Sequence, residues 1–179
     1  MTSISALENI HKRGLFGDHQ GKNENELISV SEVKHLQIIQ IVHYKKSTIQ
    51  IASLTLDNLK FPEAAMQVNS NKDTRILWSG PSNWLLVSTK KDILNSVQKI
   101  CDDKNFAITD LSHSRAIIEL KGSNSKEVLK KGCPININEF KANNCANSVF
   151  HGITITIDMI NENPETFRIF ALRSFGESL

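Results

Sequence analysis

Apolar positions along the chain fall into short alternating or β-branched blocks separated by polar corners, with only a few stretches at helical spacing. Leu36-Gln37-Ile38-Ile39-Gln40-Ile41-Val42, approached through residues 27–33, is rich in Ile and Val and predicts a buried central strand. Ile49, Ala52, Leu56 and Leu59 then recur at intervals of three and four, which predicts a helix ending near Phe61-Pro62, although Ile49 and Ile51 also alternate. Residues 63–70 read as a loop or short strand. Residues 75–78 and 84–88 face each other across Ser79-Gly80-Pro81-Ser82-Asn83, a hairpin signature. Ile93, Leu94, Val97, Ile100 and Cys101 mark one face of a helix over 90–101, with charges and amides on the other.

The stretch 106–134 is the most structured in its pattern. Ala107-Ile108-Thr109 and Ala116-Ile117-Ile118-Glu119-Leu120 are two runs of strand character around the polar corner formed by Asp110, Ser112, His113, Ser114 and Arg115. Lys121-Gly122-Ser123 supplies a turn and a helix N-cap candidate, and residues 126–131 a helix with a basic last turn. Gly132 suits a left-handed cap, and Pro134 cannot continue the helix.

Beyond it, residues 136–146 are Asn-rich and read as irregular, anchored by Ile135, Ile137 and Phe140. Ile153-Thr154-Ile155-Thr156-Ile157 and Phe167-Arg168-Ile169-Phe170-Ala171-Leu172 form a second hairpin around 161–164. Strand, helix, loop, hairpin, helix thus occurs twice, over about 36–101 and 115–179. Two βαββα repeats of this kind predict an α+β fold of mainly antiparallel sheets with helices outside, in a single domain over 27–179. Residues 1–26 are polar and predict a flexible arm with no core of its own; the alternative is an arm that orders on a larger partner, with Leu15 and Phe16 as anchors.

With 179 residues the chain is large enough for a core without staples, burying about 70% of its unfolded surface. A net charge of +2 argues against a nucleic-acid or anionic-membrane surface, and no apolar run is long enough to cross a bilayer. Three cysteines without framework spacing, and no signal-peptide pattern before them, point to a reducing cytoplasm.

The polar corner contains every residue type of an acyl-transfer triad in Asp110, Ser112 and His113. Neighbours in one turn point in different directions, however, and triads are built from separate segments. A turn held by Asp and Ser side chains on backbone amides is the expected role. Arg115 is expected to pair with Asp110 within the fold or across an interface. Cys133, Cys145, His113 and His151 lack the paired spacing of a zinc site, and Cys133 beside Pro134 reads as a small buried hydrophobe at the wrong end of a helix dipole for a reactive thiol. Trp78 and Trp84 flank a tight turn and are expected in or near a core rather than as a stacking platform. No glycine-rich phosphate loop follows any strand.

Three separated motifs carry a family resemblance. Asp110-Leu111-Ser112-His113-Ser114-Arg115 with the following strand, Gly122, Val128-Leu129 and Lys131-Gly132-Cys133-Pro134 is the first. Leu77-Trp78-Ser79-Gly80-Pro81-Ser82-Asn83-Trp84-Leu85-Leu86-Val87 and Arg173-Ser174-Phe175 are the others. Together they resemble the gamma subunit of heterotetrameric sarcosine oxidase over about 27–179, whose fold is similar to the folate-binding domain of the glycine-cleavage T-protein. The resemblance implies a cytoplasmic complex that oxidises sarcosine to glycine, with hydrogen peroxide and, from tetrahydrofolate, methylenetetrahydrofolate as products. It implies alpha, beta and delta partner subunits that carry FAD, FMN, NAD and zinc, and no cofactor, metal or catalytic residue on this chain. Trp84, Asp110, Ser112, Arg115, Cys133 and Pro134 become candidate structural or interface residues. T-protein-like enzymes place an Asp soon after the helix that follows the corner; here that region holds Asn136 and Asn138, and an amide cannot act as that carboxylate would. The alternatives are a stand-alone folate-binding protein of aminomethyltransferase type and a tRNA-modification accessory domain, the latter disfavoured by the near-neutral charge.

Overall fold

The computed structural model describes residues 5–8, 14–17, 23 and 27–179. In chain order the strands are β1 (Gly14–Phe16), β2 (Ile28–Glu32), β3 (Gln37–His43), β4 (Thr55–Leu56), β5 (Leu59–Lys60), β6 (Val68–Ser70) and β7 (Thr74–Gly80). β8 (Asn83–Ser88), helix α1 (Ile93–Ile100), β9 (Phe106–Asp110), β10 (Arg115–Lys121) and helix α2 (Ser125–Lys130) follow. β11 (Cys145–Phe150), β12 (Ile153–Glu162) and β13 (Glu165–Leu172) complete the set, and short 3-10 turns lie at Ile51–Ser53, Ile137–Glu139 and Arg173–Phe175. Every strand pairing is antiparallel, as the fold expectation required. Among the described residues, no helix is long and apolar enough to cross a membrane.

The chain divides into two compact units. His35–His113 contains a five-stranded sheet in the order β6, β7, β8, β3, β9. Alternation along β3 and β8 places Ile39 opposite Leu86 and Ile41 opposite Trp84, and these join Ile76 on one face. Ile93 and Val97 of α1, with Leu56 and Phe61, close over that face. Each such fully buried side chain contributes about 1.5–3 kcal/mol relative to exposure. The opposite face carries Ile38, Leu77, Leu85 and Val87, also buried.

The helix expected over 49–59 does not form. Only a 3-10 turn at Ile51–Ser53 precedes the two-stranded hairpin of β4 and β5, and Ala52 is exposed. The reason lies at Asp57 and Asn58, which take left-handed φ values of 52° and 62° as the central residues of a two-residue hairpin turn. That turn lets Asp57 accept hydrogen bonds from Lys90 Nζ at 2.5 Å and Thr74 Oγ1 at 2.6 Å, which a helix over these residues would forfeit.

Ser114–Leu179, with the described part of residues 1–34, holds a six-stranded sheet in the order β1, β2, β10, β13, β12, β11. Leu120, Ile155, Ile157, Met159, Phe167, Ile169 and Ala171 form its core face, covered by Leu129, Cys133, Ile137 and Phe140. Helix α2 begins at Ser125, one residue before the expected run 126–131; Asn124 rather than Ser123 holds the cap position, without a side-chain bond, and the Ser125 hydroxyl donates to the Gly122 carbonyl at 2.8 Å. Gly122 has φ +145°, and a Cβ there would run into the Leu27 carbonyl. Gly132 does not take the expected left-handed cap. Its role is space: a Cβ would sit 2.7 Å and 2.8 Å from the Phe150 ring. β11 was not expected from its sequence, and the expected terminal helix is the 3-10 turn at Arg173–Phe175. Of the expected arm, Gly14–Phe16 forms the edge strand β1 on β2, while residues 1–4, 9–13, 18–22 and 24–26 lie outside the described residues.

The connectivity has an internal symmetry. β2 leads into β3 but pairs with β10, and β9 leads into β10 but pairs with β3. Glu32 stands opposite Ile118 as Asp110 stands opposite Ile39. The Val33 amide donates to the Ile117 carbonyl at 2.9 Å as the Leu111 amide donates to the Ile38 carbonyl at 2.7 Å. Each sheet is thus completed by the strand that introduces the other.

Candidate functional site

The polar corner begins where β9 ends. Asp110 Oδ1 accepts the Ser112 amide at 2.9 Å and the Ser112 hydroxyl at 2.6 Å, an Asp-led turn with two residues of reach. Ser112 Oγ in turn accepts the Ile38 amide at 3.0 Å. The hydrogen bonds from the Ser112 side chain and then its backbone hold the Asp110 carboxyl below its ordinary range. The hydroxyl proton of Ser112 therefore goes to a carboxylate, not to an imidazole, and His113 stands exposed. Asp110, Ser112 and His113 do not assemble the geometry of an activated nucleophile.

Arg115 opens β10 opposite Leu172, the last residue of β13. Its guanidinium is partly buried, burial pulls its pKa down, and its Nε has no hydrogen-bond partner among the described residues. Asp110 accepts from Ser112, and Arg115 Nε has no acceptor among the described residues. Sequence reasoning missed the surroundings of this residue, because Leu172 and Phe175 look like ordinary strand and terminal residues until the register places Leu172 beside it.

Trp84 is a core residue, 4% exposed. Its Nε1 donates to the Pro62 carbonyl at 2.7 Å, and Phe61 meets it edge-on, with ring centroids 5.1 Å apart at 72°. Trp78 is its cross-strand neighbour in the β7–β8 hairpin. A shallow cleft of about 530 Å³ lies here, lined by His43, Pro62, Glu63, Trp78, Pro81 and Trp84 among others. The depth of Trp84 and its bond to Pro62 leave the ring no free face for stacking.

Cys133 follows α2, with its amide bonded to the Leu129 carbonyl at 2.9 Å, and its thiol lies in the core where burial pushes its pKa up. Pro134 is exposed at the helix stop. Cys101, Cys133 and Cys145 are all buried and free, and burial, with Asp102 adding to it, pushes Cys101 up to about 11. No cluster of three or more His, Cys, Asp or Glu side chains suited to a metal occurs among the described residues. Asn136 donates to Glu139 Oε1 at 2.8 Å, and Asn136 and Asn138 are both exposed.

A larger cleft of about 680 Å³ went unforeseen. It is lined by Leu15, Leu27, Lys121, Gly122, Ser123 and the β12–β13 turn through Glu165. Its size is that of a small-molecule site, but Glu165 accepts the Lys126 amide at 3.3 Å and approaches Lys126 Nζ at 3.9 Å, so its carboxylate is already engaged at the head of α2. The sequence offered only Gly122 between a strand-like and a helical run, which read as a turn.

Solved structures define the class of fold. A chain of the heterotetrameric sarcosine oxidase from Corynebacterium sp. U-96, in complex with pyrrole 2-carboxylate, is similar with a TM-score of 0.74 and 23% identity, over 86% of this chain and 80% of that one. Glycine cleavage system aminomethyltransferase T from Bartonella henselae is similar with a TM-score of 0.57 and 13% identity, over 83% of this chain and 43% of that one. The architecture is thus of the T-protein-like α+β class.

Within that class the chain belongs to the sarcosine oxidase, gamma subunit family, whose model matches residues 48–179. A curated relative, sarcosine oxidase subunit gamma of Corynebacterium sp. (strain U-96), is 27% identical over 135 residues, which is 73% of this chain. The match spans 65% of the length of that relative.

Proposed function

We propose that this chain is a non-catalytic assembly subunit of a cytoplasmic heterotetrameric sarcosine oxidase, which oxidatively demethylates sarcosine to glycine with formation of hydrogen peroxide and, from tetrahydrofolate, methylenetetrahydrofolate. The observation that carries this reading is the family match over 48–179 joined to a polar corner whose Asp and Ser side chains are engaged with each other and with the Ile38 amide. Alpha, beta and delta subunits are the partners, and FAD, FMN, NAD and zinc belong to them. Asn136 and Asn138, where a T-protein-like enzyme carries its carboxylate, support a chain that contributes packing surface rather than folate chemistry.

Native purification of the tagged chain, with mass identification of its companions and a flavin absorption spectrum, tests the proposal. Flavin-bearing companions with sarcosine-dependent peroxide production are expected. A lone, colourless chain recovered under gentle conditions overturns it.

A further inference from the structure

Trp78 and Trp84 stand opposite each other in the β7–β8 ladder, on the face of the sheet where Ile41 stands opposite Trp84. Trp84 belongs to the core, with its ring against Phe61 and its N–H on the Pro62 carbonyl. Trp78, at the outer end of the same row, stays partly exposed and lines the shallow cleft of about 530 Å³. Two bonds fix the walls of that cleft. Trp84 Nε1 on the Pro62 carbonyl, at 2.7 Å, holds the residue next to Glu63 over the floor. The His43 amide on the Ser82 carbonyl, at 2.8 Å, holds the β7–β8 turn against the end of β3.

The cleft carries one sign of charge. Histidine aside, Glu63 is the only acidic or basic side chain among the described residues that line it. Glu63 is exposed, and its carboxylate has no ion pair or hydrogen bond among the described residues. His43 Nε2 is shut off from solvent and offers no contact to a ligand. The chemistry on offer is therefore a carboxylate and an indole, walled by Pro62, Pro81 and Ile51. A carboxylate repels anions, and an aromatic ring attracts cations through its quadrupole. A metal ion would need more than one such oxygen ligand. The larger cleft beside Gly122 has no such bias, since Lys121, Glu162 and Glu165 line it together.

We propose that this cleft binds an organic cation, an alkylammonium or alkylguanidinium group that pairs with Glu63 and lies against Trp78. Such a group arrives either as a free small amine or as the tip of a lysine or arginine side chain of a partner subunit, and the recognising chemistry is the same.

The test follows the two indole N–H signals of the isolated full chain by NMR while n-butylammonium chloride is added, with Trp78→Phe assigning them. Sodium butyrate, n-butanol and sodium chloride are the controls. Butylammonium shifts the Trp78 signal saturably and the controls do not. Glu63→Gln raises the dissociation constant about tenfold. It leaves the melting temperature unchanged, since this side chain has no partner among the described residues to lose. Butyrate or butanol binding as tightly, no saturable shift beyond that of sodium chloride, or an unchanged affinity in Glu63→Gln each overturns the site. Assembly then separates the two sources. If Glu63→Gln assembles more weakly and butylammonium competes with wild-type assembly, the cation is a partner's side chain; assembly indifferent to both assigns a free amine. Failure in the isolated chain leaves the subunit reading standing, and a chain that binds butylammonium but finds no partner overturns that reading and not the cleft.

Discussion

The hydroxyl of Ser112 stands between two parts of one sheet: it accepts the Ile38 amide at 3.0 Å and donates to Asp110 Oδ1 at 2.6 Å. The first residues of β3 and the last of β9 are joined through this one side chain, with a carboxylate at the end of the relay polarising both bonds. Ser112→Ala leaves the Ile38 amide without its acceptor. The expected loss is about 1–2 kcal/mol in urea unfolding of the isolated chain, with no change in its fold by circular dichroism. An unchanged midpoint would show that the corner is held by backbone alone.

Trp84 gives a different expectation. Its indole is enclosed by Phe61, and its N–H is bound to Pro62. Trp84→Ala should cost about 3–5 kcal/mol of stability, enough to reduce recovery of soluble chain in the absence of any partner. Trp84→Phe should cost less, since it keeps most of the packing and gives up the bond to the Pro62 carbonyl. If Trp84→Ala left the isolated chain intact and impaired only assembly, the residue would be an interface contact instead.

Asp57 makes stability depend on pH. Burial pushes its carboxyl up, but hydrogen bonds from Lys90, Thr74 and Asn71 outweigh that and leave the pKa lowered. A depressed native pKa means that the folded state gains from the ionised form above the unfolded value, about 3.9, and loses that gain as pH falls through the native value. Wild type should therefore be more stable than Asp57→Asn at pH 7, and the gap should narrow below about pH 4. Chemical unfolding of both proteins across pH 2.5–7 (roughly the range that brackets the carboxylate titration) measures it. A gap independent of pH would remove the charge from the account.

The thiols should be silent in the folded protein. Cys101, Cys133 and Cys145 are buried, and the Cys101 pKa is pushed to about 11, so little thiolate exists near pH 8. A disulfide reagent at that pH should react only after denaturant is added, and then with all three. Rapid modification of one thiol in the native chain would mark an opening that the structure does not contain.

What could be read in advance followed the range of the interactions involved. The hairpins β7–β8 and β12–β13 announce themselves by alternation and by turn residues close in sequence, and α1 by its apolar stripe. The misread helix over 49–59 shows the same rule from the other side. Leu56 and Leu59 fit a helical interval, but the Asp57-Asn58 pair between two short strands was the stronger, and local, signal. β11, with Cys145-Ala146-Asn147-Ser148 at its start, has little strand propensity and exists because β12 offers it a ladder. The role of Ser112 toward its own turn was legible as an Asp-led corner; its bond to Ile38 was not, since only the folded sheet brings them together. The unsatisfied Arg115 was equally out of reach, because the absence of an acceptor is a property of the whole surroundings of a side chain.

The exchange of β2 and β9 between the two sheets bears on how such a chain can be divided or can have arisen. Excising residues 35–101 would strip β3 of its neighbour β9 and leave a long Ile-rich edge open to any strand that could add to it. A single ancestral half, carrying its lead-in strand ahead of its own first strand, would have had nothing to pair that strand with except another copy. On this topology each half gives its lead-in strand to the other sheet, and the short passages at residues 33–36 and 111–114 are the links through which the exchange is made.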